Sequence, residues 1–259
     1  MKKLLPLLAL LVFSMPAQAA DVNEIVAKAN HATYYQGKDG MARVNMVIRD
    51  DQDRERTRNF VILRKNIGDD DKDQKFYVYF NRPADVNKTA FMVWKHVGAD
   101  DDRWLYLPAL DLVKRIAASD ERTSFVGSNF FYEDVSGRNP EEDTHELVEE
   151  TDNFYVIKST PKKPDLVEFF YYKTWIHKAS FIPVKAAFYD KSGKEYREAL
   201  AEKVEDIQGF PTVVSSRMKD LASGGETVLT YDKVRYNTEL PEDIFTERYL
   251  RNPPRQYLR

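Results

Sequence analysis

The chain has 259 residues and no cysteine, with 39 Lys and Arg against 42 Asp and Glu, for a formal net charge of −3. Without cysteine, neither a disulfide nor a cysteine-linked lipid can form, so a large apolar core must stabilise the fold. The slightly acidic balance argues against nucleic acid as a partner, because phosphate binding requires a basic surface.

The first segment has the pattern of an export signal. Lys2 and Lys3 precede an apolar run over residues 4–13, and small residues follow at Ala17 and Ala19. We expect residues 1–19 to be a signal peptide cleaved near Ala19, and residues 20–259 to form a single exported domain. The apolar run is shorter than the roughly 20 residues that span a bilayer. No comparable run recurs, so no transmembrane segment is predicted after cleavage.

A helix and a series of strands follow. Apolar residues recur at helical spacing over residues 21–35, and from Met41 the period changes to two. Further strands are predicted at residues 58–65, 75–80, 91–97, 103–107 and 112–117. Several carry apolar side chains on both faces, so their sheet needs cover on two sides. Residues 120–135 are predicted to be helix or loop that could provide such cover.

The second half is typical of an antiparallel meander. Strand-like runs with turn signals between them cover residues 167–176, 182–189, 195–204, 212–218 and 227–236. We therefore predict a mainly β protein of the α+β class, with about ten antiparallel strands in one strongly curved sheet. Sheets of this size curl or split, and helical segments are available to cover the concave face.

The stretch from Arg103 to Val135 resembles a known family. The matching residues are Leu107-Pro108, Lys114-Arg115-Ile116, Arg122, Phe125, Gly127, Ser128, Phe130, Tyr132, Glu133 and Asp134. This pattern is similar to that of outer-membrane lipoprotein-sorting proteins, which are like the periplasmic carriers LolA and LolB in fold. Asn129 and Phe131 depart from the family pattern, whereas residues 245–250 resemble its ending.

The resemblance implies a half-barrel with a concave apolar cleft in the periplasm. It implies a carrier or chaperone that holds a lipid, the acyl chains of a lipoprotein or another apolar molecule during transfer between envelope components. The alternative is an accessory subunit of a transporter of the resistance-nodulation-division (RND) type that carries nothing. The resemblance includes no catalytic motif and implies no cofactor.

Candidate residues for the apolar cleft come from the aromatic cluster and from strands. Phe125, Phe130, Phe131 and Tyr132 are expected to press into the concave face, either as a movable lid or as a fixed plug of the core. The strand residues Met46, Met92 and Trp94 are candidates for the lining, with ordinary core packing as the alternative.

Charged residues beside these aromatics are candidates for holding the lid. Glu133 and Asp134 are expected to pair with Arg115 or Arg122, against the alternative of a solvated acidic pair.

The basic C-terminal tail is a candidate docking surface. It presents Arg251, Arg255 and Arg259 to a membrane complex, unless it packs across its own domain.

The sequence favours neither a metal site nor an enzyme. The aspartates at residues 69, 71 and 73 have the spacing of a calcium loop but lack its glycine and its closing carboxylate. The four histidines lack the paired spacing of zinc ligands, and no nucleophile elbow or phosphate loop is present.

Overall fold

The computed structural model describes residues 21–258. The predicted signal peptide, residues 1–19, lies outside the described residues, and so does Arg259 of the tail. Within residues 21–258, no helix is both long enough and apolar enough to cross a membrane.

One open, curved antiparallel sheet of thirteen strands dominates the fold. The strands are β1 Asp39–Arg49, β2 Glu55–Ile67, β3 Asp73–Arg82, β4 Ala90–Lys95, β5 Asp102–Leu107, β6 Leu112–Ile116, β7 Asp143–Glu150, β8 Phe154–Pro161, β9 Tyr171–His177, β10 Pro183–Tyr189, β11 Glu195–Ile207, β12 Phe210–Asp220 and β13 Glu226–Tyr236. Their order is β6-β5-β4-β3-β2-β1-β13-β12-β11-β10-β9-β8-β7. The chain therefore builds one half outward from β1, crosses to the far edge, and returns to close beside β1.

The prediction of a curved antiparallel sheet is confirmed, but about ten strands was too few. The sequence pattern missed β7 and β8. In β7 only Asp143 is buried, and the acidic residues that follow hide any apolar alternation because this strand forms an edge of the sheet. In β8 a short apolar run is followed by polar residues, so the sequence shows no clear alternation of apolar and polar residues.

The concave face is covered by the N-terminal helix and by a segment between the two halves. Helix α1, Val22–Asn30, begins at Asp21, whose carboxylate accepts a hydrogen bond from Asn23 N at 2.9 Å, and continues as one π-helical turn, His31–Tyr35. Its apolar side packs Ile25 and Ala29 on strands β8 and β9. We call residues 120–137 the cover segment; its one α-helix is α2, Tyr132–Ser136.

The convex face is covered only over its first half. The C-terminal segment, residues 240–258, contains the short helix α3, Glu247–Arg251. Leu240, Ile244, Phe245 and Leu250 are fully or almost fully buried there against strands β2 to β5. The two-sided cover predicted for the early strands is thus supplied by the cover segment on one face and by the C-terminal segment on the other.

Candidate functional site

A cavity of about 510 Å³ lies between the concave face and its covers. Helix α1, the cover segment and strands from both halves of the sheet line it. Its interior is mainly apolar, formed by Val26, Met46, Ile62, Val78, Phe130 and Leu229. The volume lies within the range of about 300–1,000 Å³ that is common for ligand pockets.

The aromatic cluster predicted from the sequence is divided by the structure. Phe125 and Phe130 line the cavity. Phe125 is also 2% exposed and packs its ring 5.4 Å from that of Phe91 and 5.8 Å from that of Phe80. The cover segment therefore fills one part of the concave face as core and borders the open space with Phe130.

Phe131 and Tyr132 do not line the cavity. Tyr132 packs in the core 5.1 Å from the ring of Phe91. The Phe131 ring lies between two guanidinium groups, with Arg197 at 4.0 Å and Arg122 at 5.1 Å from its centroid. Phe131 thus stabilises the position of cations that fasten the cover segment to the sheet.

The three candidates on strands point to different faces of the sheet. Met46 is fully buried and lines the cavity. Met92 and Trp94 point to the convex face, where they pack with Trp104 and the C-terminal segment, so they do not belong to the cleft. Because alternate residues of a strand face opposite sides, their neighbours Phe91 and Val93 occupy the concave face instead.

Ion pairs hold the cover segment against the second half of the sheet. Arg122 pairs with Glu133, which is one of the pairings predicted from the sequence. Arg122 also pairs with Glu168 at 2.6 Å. Arg138 bridges Glu133 at 3.1 Å and Asp143 of β7 at 2.9 Å. Arg122, Glu133, Arg138 and Asp143 form a mostly buried network, and Glu168 borders it at the surface.

Two further contacts of this segment had no clear signal in the sequence. Asp134 pairs with Arg197 of β11, and Lys95 of β4 donates to the carbonyls of Ser136 at 2.8 Å and Gly137 at 3.1 Å. A run of alternating polar and apolar residues marks strands but gives no indication of which partner a lysine or arginine reaches. Arg115, by contrast, pairs with Asp102 near the sheet edge and takes no part in holding the segment.

Gly137 joins the cover segment to the N-terminal helix. Its φ of +76° favours glycine, and a Cβ at this position would overlap the ring of Tyr34. Both covers of the concave face therefore meet at one close contact that no other residue type can make without a shift.

Burial shifts the pKa values of several groups that line the cavity or hold the cover segment. Burial lowers the pKa of Lys95 to about 8 and that of Arg64 to about 10. Burial raises the pKa of Glu121 to about 7, although its partner Arg103, at 2.7 Å, acts in the opposite direction. For Arg122, burial lowers the pKa, but hydrogen bonding to Glu168 and the charge of Glu133 outweigh it and raise the pKa overall.

Two of the predicted docking arginines, Arg251 and Arg255, lie in the C-terminal segment on the convex side. Arg251 pairs with Asp111 at 3.1 Å, and both side chains are largely exposed. Arg255 is exposed at the start of a short 3₁₀ turn. The apolar residues of the same segment are buried, so the tail packs on its own domain while its arginines remain at the surface.

No cluster of three or more His, Cys, Asp or Glu side chains within residues 21–258 is arranged to hold a metal ion. His145, the one histidine that lines the cavity, has both ring nitrogens within hydrogen-bonding distance of protein oxygens, at 2.8 Å from Ser159 Oγ and 2.9 Å from Pro140 O. The chemistry of the site is therefore that of an apolar space bordered by charged groups.

Comparison with known proteins supports the resemblance seen in the sequence. A DUF1329 family protein from Desulfovibrio piger has 29% identity and a TM-score of 0.80, over 88% of this chain and 96% of that one. A putative outer membrane lipoprotein-sorting protein domain from Vibrio parahaemolyticus has 28% identity and a TM-score of 0.78, over 88% and 97% of the two chains.

A LolA superfamily protein from Nitrosomonas europaea shares the fold at 22% identity and a TM-score of 0.68, over 89% of this chain and 100% of that one. No curated protein matches the sequence. A family model described only as an uncharacterized protein matches residues 72–252, which is more than half of the chain. The chain therefore belongs to this family of DUF1329-like proteins, and it shares its fold with the LolA superfamily protein.

Proposed function

We propose that this protein is a periplasmic carrier that binds a lipid, the acyl chains of a lipoprotein or another apolar molecule and transfers it between envelope components. The observation that carries the proposal is the cavity of about 510 Å³ with an apolar interior. Hydrocarbon in water costs about 0.8 kcal/mol for each exposed methylene, so a ligand with a long chain gains much from such a space.

The arrangement of the covers also supports a carrier. Part of the concave face is packed as core, whereas the space lies between α1, the cover segment and strands of both halves of the sheet. The cover is fastened there by ion pairs and hydrogen bonds, which a partner can exchange for its own. In this proposal the protein is no enzyme, and an RND-type transporter is a candidate partner.

Mass spectrometry tests the carrier proposal most directly. The protein is purified from its native envelope without detergent, extracted with organic solvent, and its lipids are compared with those of a mock purification. A near-stoichiometric apolar molecule is expected. Absence of any such molecule, together with failure to bind a fluorescent apolar probe, would contradict the proposal and favour the accessory subunit.

A matched pair of variants then locates the binding site. Phe130→Asp is expected to weaken probe binding at least tenfold, because it places a charge in the apolar cavity. Phe131→Asp should affect binding less, since this ring lies between Arg122 and Arg197 outside the cavity. Equal losses of binding and of stability in both variants would indicate a fixed plug instead of a cavity wall.

The accessory subunit is a second candidate because of one surface feature. Leu110 and Leu112, at the start of edge strand β6, are 70% and 45% exposed and flank Asp111, the partner of Arg251. An apolar edge next to a basic tail is suited to docking. Cross-linking from Leu112→Cys in intact envelopes tests this candidate, and it requires no ligand.

A further inference from the structure

The cations around the cavity differ in how their charge is compensated. Five Lys or Arg residues line it, and four of them pair with carboxylates. These pairs are Arg122 with Glu168 at 2.6 Å, Arg138 with Asp143 at 2.9 Å, Lys185 with Glu198 at 2.6 Å, and Arg217 with Glu226 at 2.6 Å. The fifth, Arg64, pairs with no carboxylate among residues 21–258.

Arg64 is held in place by neutral oxygens. Its guanidinium donates to the carbonyls of Tyr34 and Gln36, and to Asn66 Oδ1 at 2.8 Å. These three bonds use only part of the five donors that an arginine carries. Burial lowers the pKa of Arg64 to about 10, so the group stays cationic at neutral pH. Arg64 is partly buried, and a partly buried cation that contacts no carboxylate favours an anion beside it.

The surroundings of Arg64 form a polar end to the cavity. Gly40 of β1 lies opposite both Arg64 of β2 and Tyr236 of β13. Tyr236 Oη lies 2.9 Å from Thr212 Oγ1, and both residues line the cavity. The polar side chains of this end thus come from neighbouring strands and lie around a guanidinium that contacts no carboxylate among residues 21–258.

The apolar part of the cavity extends away from this end along β1. Gly40 and Met46 both line the cavity and are six residues apart on one strand. At about 3.3 Å per residue this corresponds to about 20 Å. Met46 lies opposite Leu229 of β13, so the far end is hydrocarbon. A long, narrow ligand with one charged end matches this division.

We propose that the cargo is an amphipathic molecule with an anionic group, whose carboxylate or phosphate oxygens accept hydrogen bonds from Arg64 while its hydrocarbon chain lies along β1 towards Met46. The inference rests on the carrier function and names the chemical class of what is carried. A neutral hydrocarbon of the same length would fill the apolar part and leave the Arg64 charge unpaired.

Displacement of a fluorescent apolar probe tests this proposal. Hexadecanoate, hexadecyl phosphate and 1-hexadecanol are compared below their aggregation concentrations on the full chain. The wild type should prefer the two anions over the alcohol at least tenfold, as is typical of a charge-assisted hydrogen bond. Arg64→Gln should remove the preference for anions and change the affinity for 1-hexadecanol by no more than twofold. Arg64→Lys should retain most of the preference for anions.

Two further variants separate the local effect from loss of fold or of general charge. Arg43→Gln removes a cation of β1 on the opposite face and should leave the preference intact. Gly40→Asp places a carboxylate beside Arg64, because a Cβ at Gly40 lies 3.5 Å from Arg64 Nη2 in ordinary contact. Gly40→Asp should abolish the preference for anions. It therefore tests the proposal even if the Arg64→Gln variant does not fold.

The outcomes distinguish this inference from the carrier function. Equal affinity of the wild type for all three ligands would overturn the anionic cargo and leave the carrier intact. Failure of all three to displace a bound probe, or absence of probe binding, would overturn both. If inorganic phosphate alone bound as tightly as hexadecyl phosphate, the site would be one for free anions, and the proposed amphipathic cargo would be wrong.

Discussion

The sheet is covered on both faces, and the two covers are held by different forces. On the convex face, the C-terminal segment buries Phe245 and Leu250 completely and packs densely against β2 to β5. On the concave face, the cover segment is held by ion pairs of Glu133 and Asp134 and borders a cavity of about 510 Å³. The convex cover is thus held by apolar packing and the concave one largely by polar contacts, and in the proposed carrier a partner would exchange those polar contacts for its own.

Truncation of the convex cover should have the largest effect. Phe245→Ala removes a fully buried ring, and its cost should be about 3–5 kcal/mol in the free energy of unfolding, as is usual for large core side chains. Urea unfolding measures it, with Leu221→Ala, at a site 44% exposed, as the control. A loss below about 1 kcal/mol would mean that this cover adds little stability. The proposed difference between the convex and concave covers would then be wrong.

Weakening the concave cover should cost less. Glu133→Gln breaks bonds to Arg122 and Arg138, but these keep Glu168 and Asp143 as partners. We expect a loss of about 1–3 kcal/mol in urea unfolding and faster proteolysis within residues 120–137. Glu141→Gln, at an exposed site of the following turn, is the matched control. Unchanged proteolysis would show that the ion pairs do not hold the segment.

The concave cover should also respond to pH. Burial raises the pKa of Glu121 from its ordinary value of 4.5 to about 7 in the folded protein. The folded state therefore binds a proton that the unfolded state has released, and stability falls as the pH rises through this window. Glu121→Gln removes this dependence. The free energy of unfolding of the wild type, measured relative to the variant, should fall between pH 5 and about pH 7. If the difference in the free energy of unfolding between wild type and variant did not change with pH, the raised pKa of Glu121 would be contradicted.

The smallest effect on stability is expected from the arginines of the tail. Arg251→Gln combined with Arg255→Gln should change the free energy of unfolding by less than about 0.5 kcal/mol, because exposed ion pairs contribute little. If these residues dock on a membrane complex, ligand transfer to acceptor membranes should weaken in a salt-dependent way. Wild-type transfer in low salt would exclude them from docking, and a large fall in the thermal midpoint would show that they brace the segment.

Only part of the concave site could be predicted from the sequence, and most of the contacts that hold its cover segment could not. The aromatic residues at 125 and 130 and the pair of Arg122 with Glu133 follow from a local pattern in one stretch of chain. Arg197 and Lys95 reach the same segment from strands far away in sequence. Contacts of this kind depend on the register of the sheet, which a single sequence does not display.

The sequence by itself determined the period-two strands, the short turns of the second half and hence a wide antiparallel sheet. Only the tertiary structure decided which face of that sheet encloses space. Met46 and Met92 occupy similar apolar runs, yet one lines the cavity and the other packs under the C-terminal segment. The physical reason is that the alternation of residues along a strand separates the side chains into two faces but does not show which face will enclose the cavity. Residues 240–258 pack without space over the first half of one face, and residues 120–137 leave room beneath them on the other.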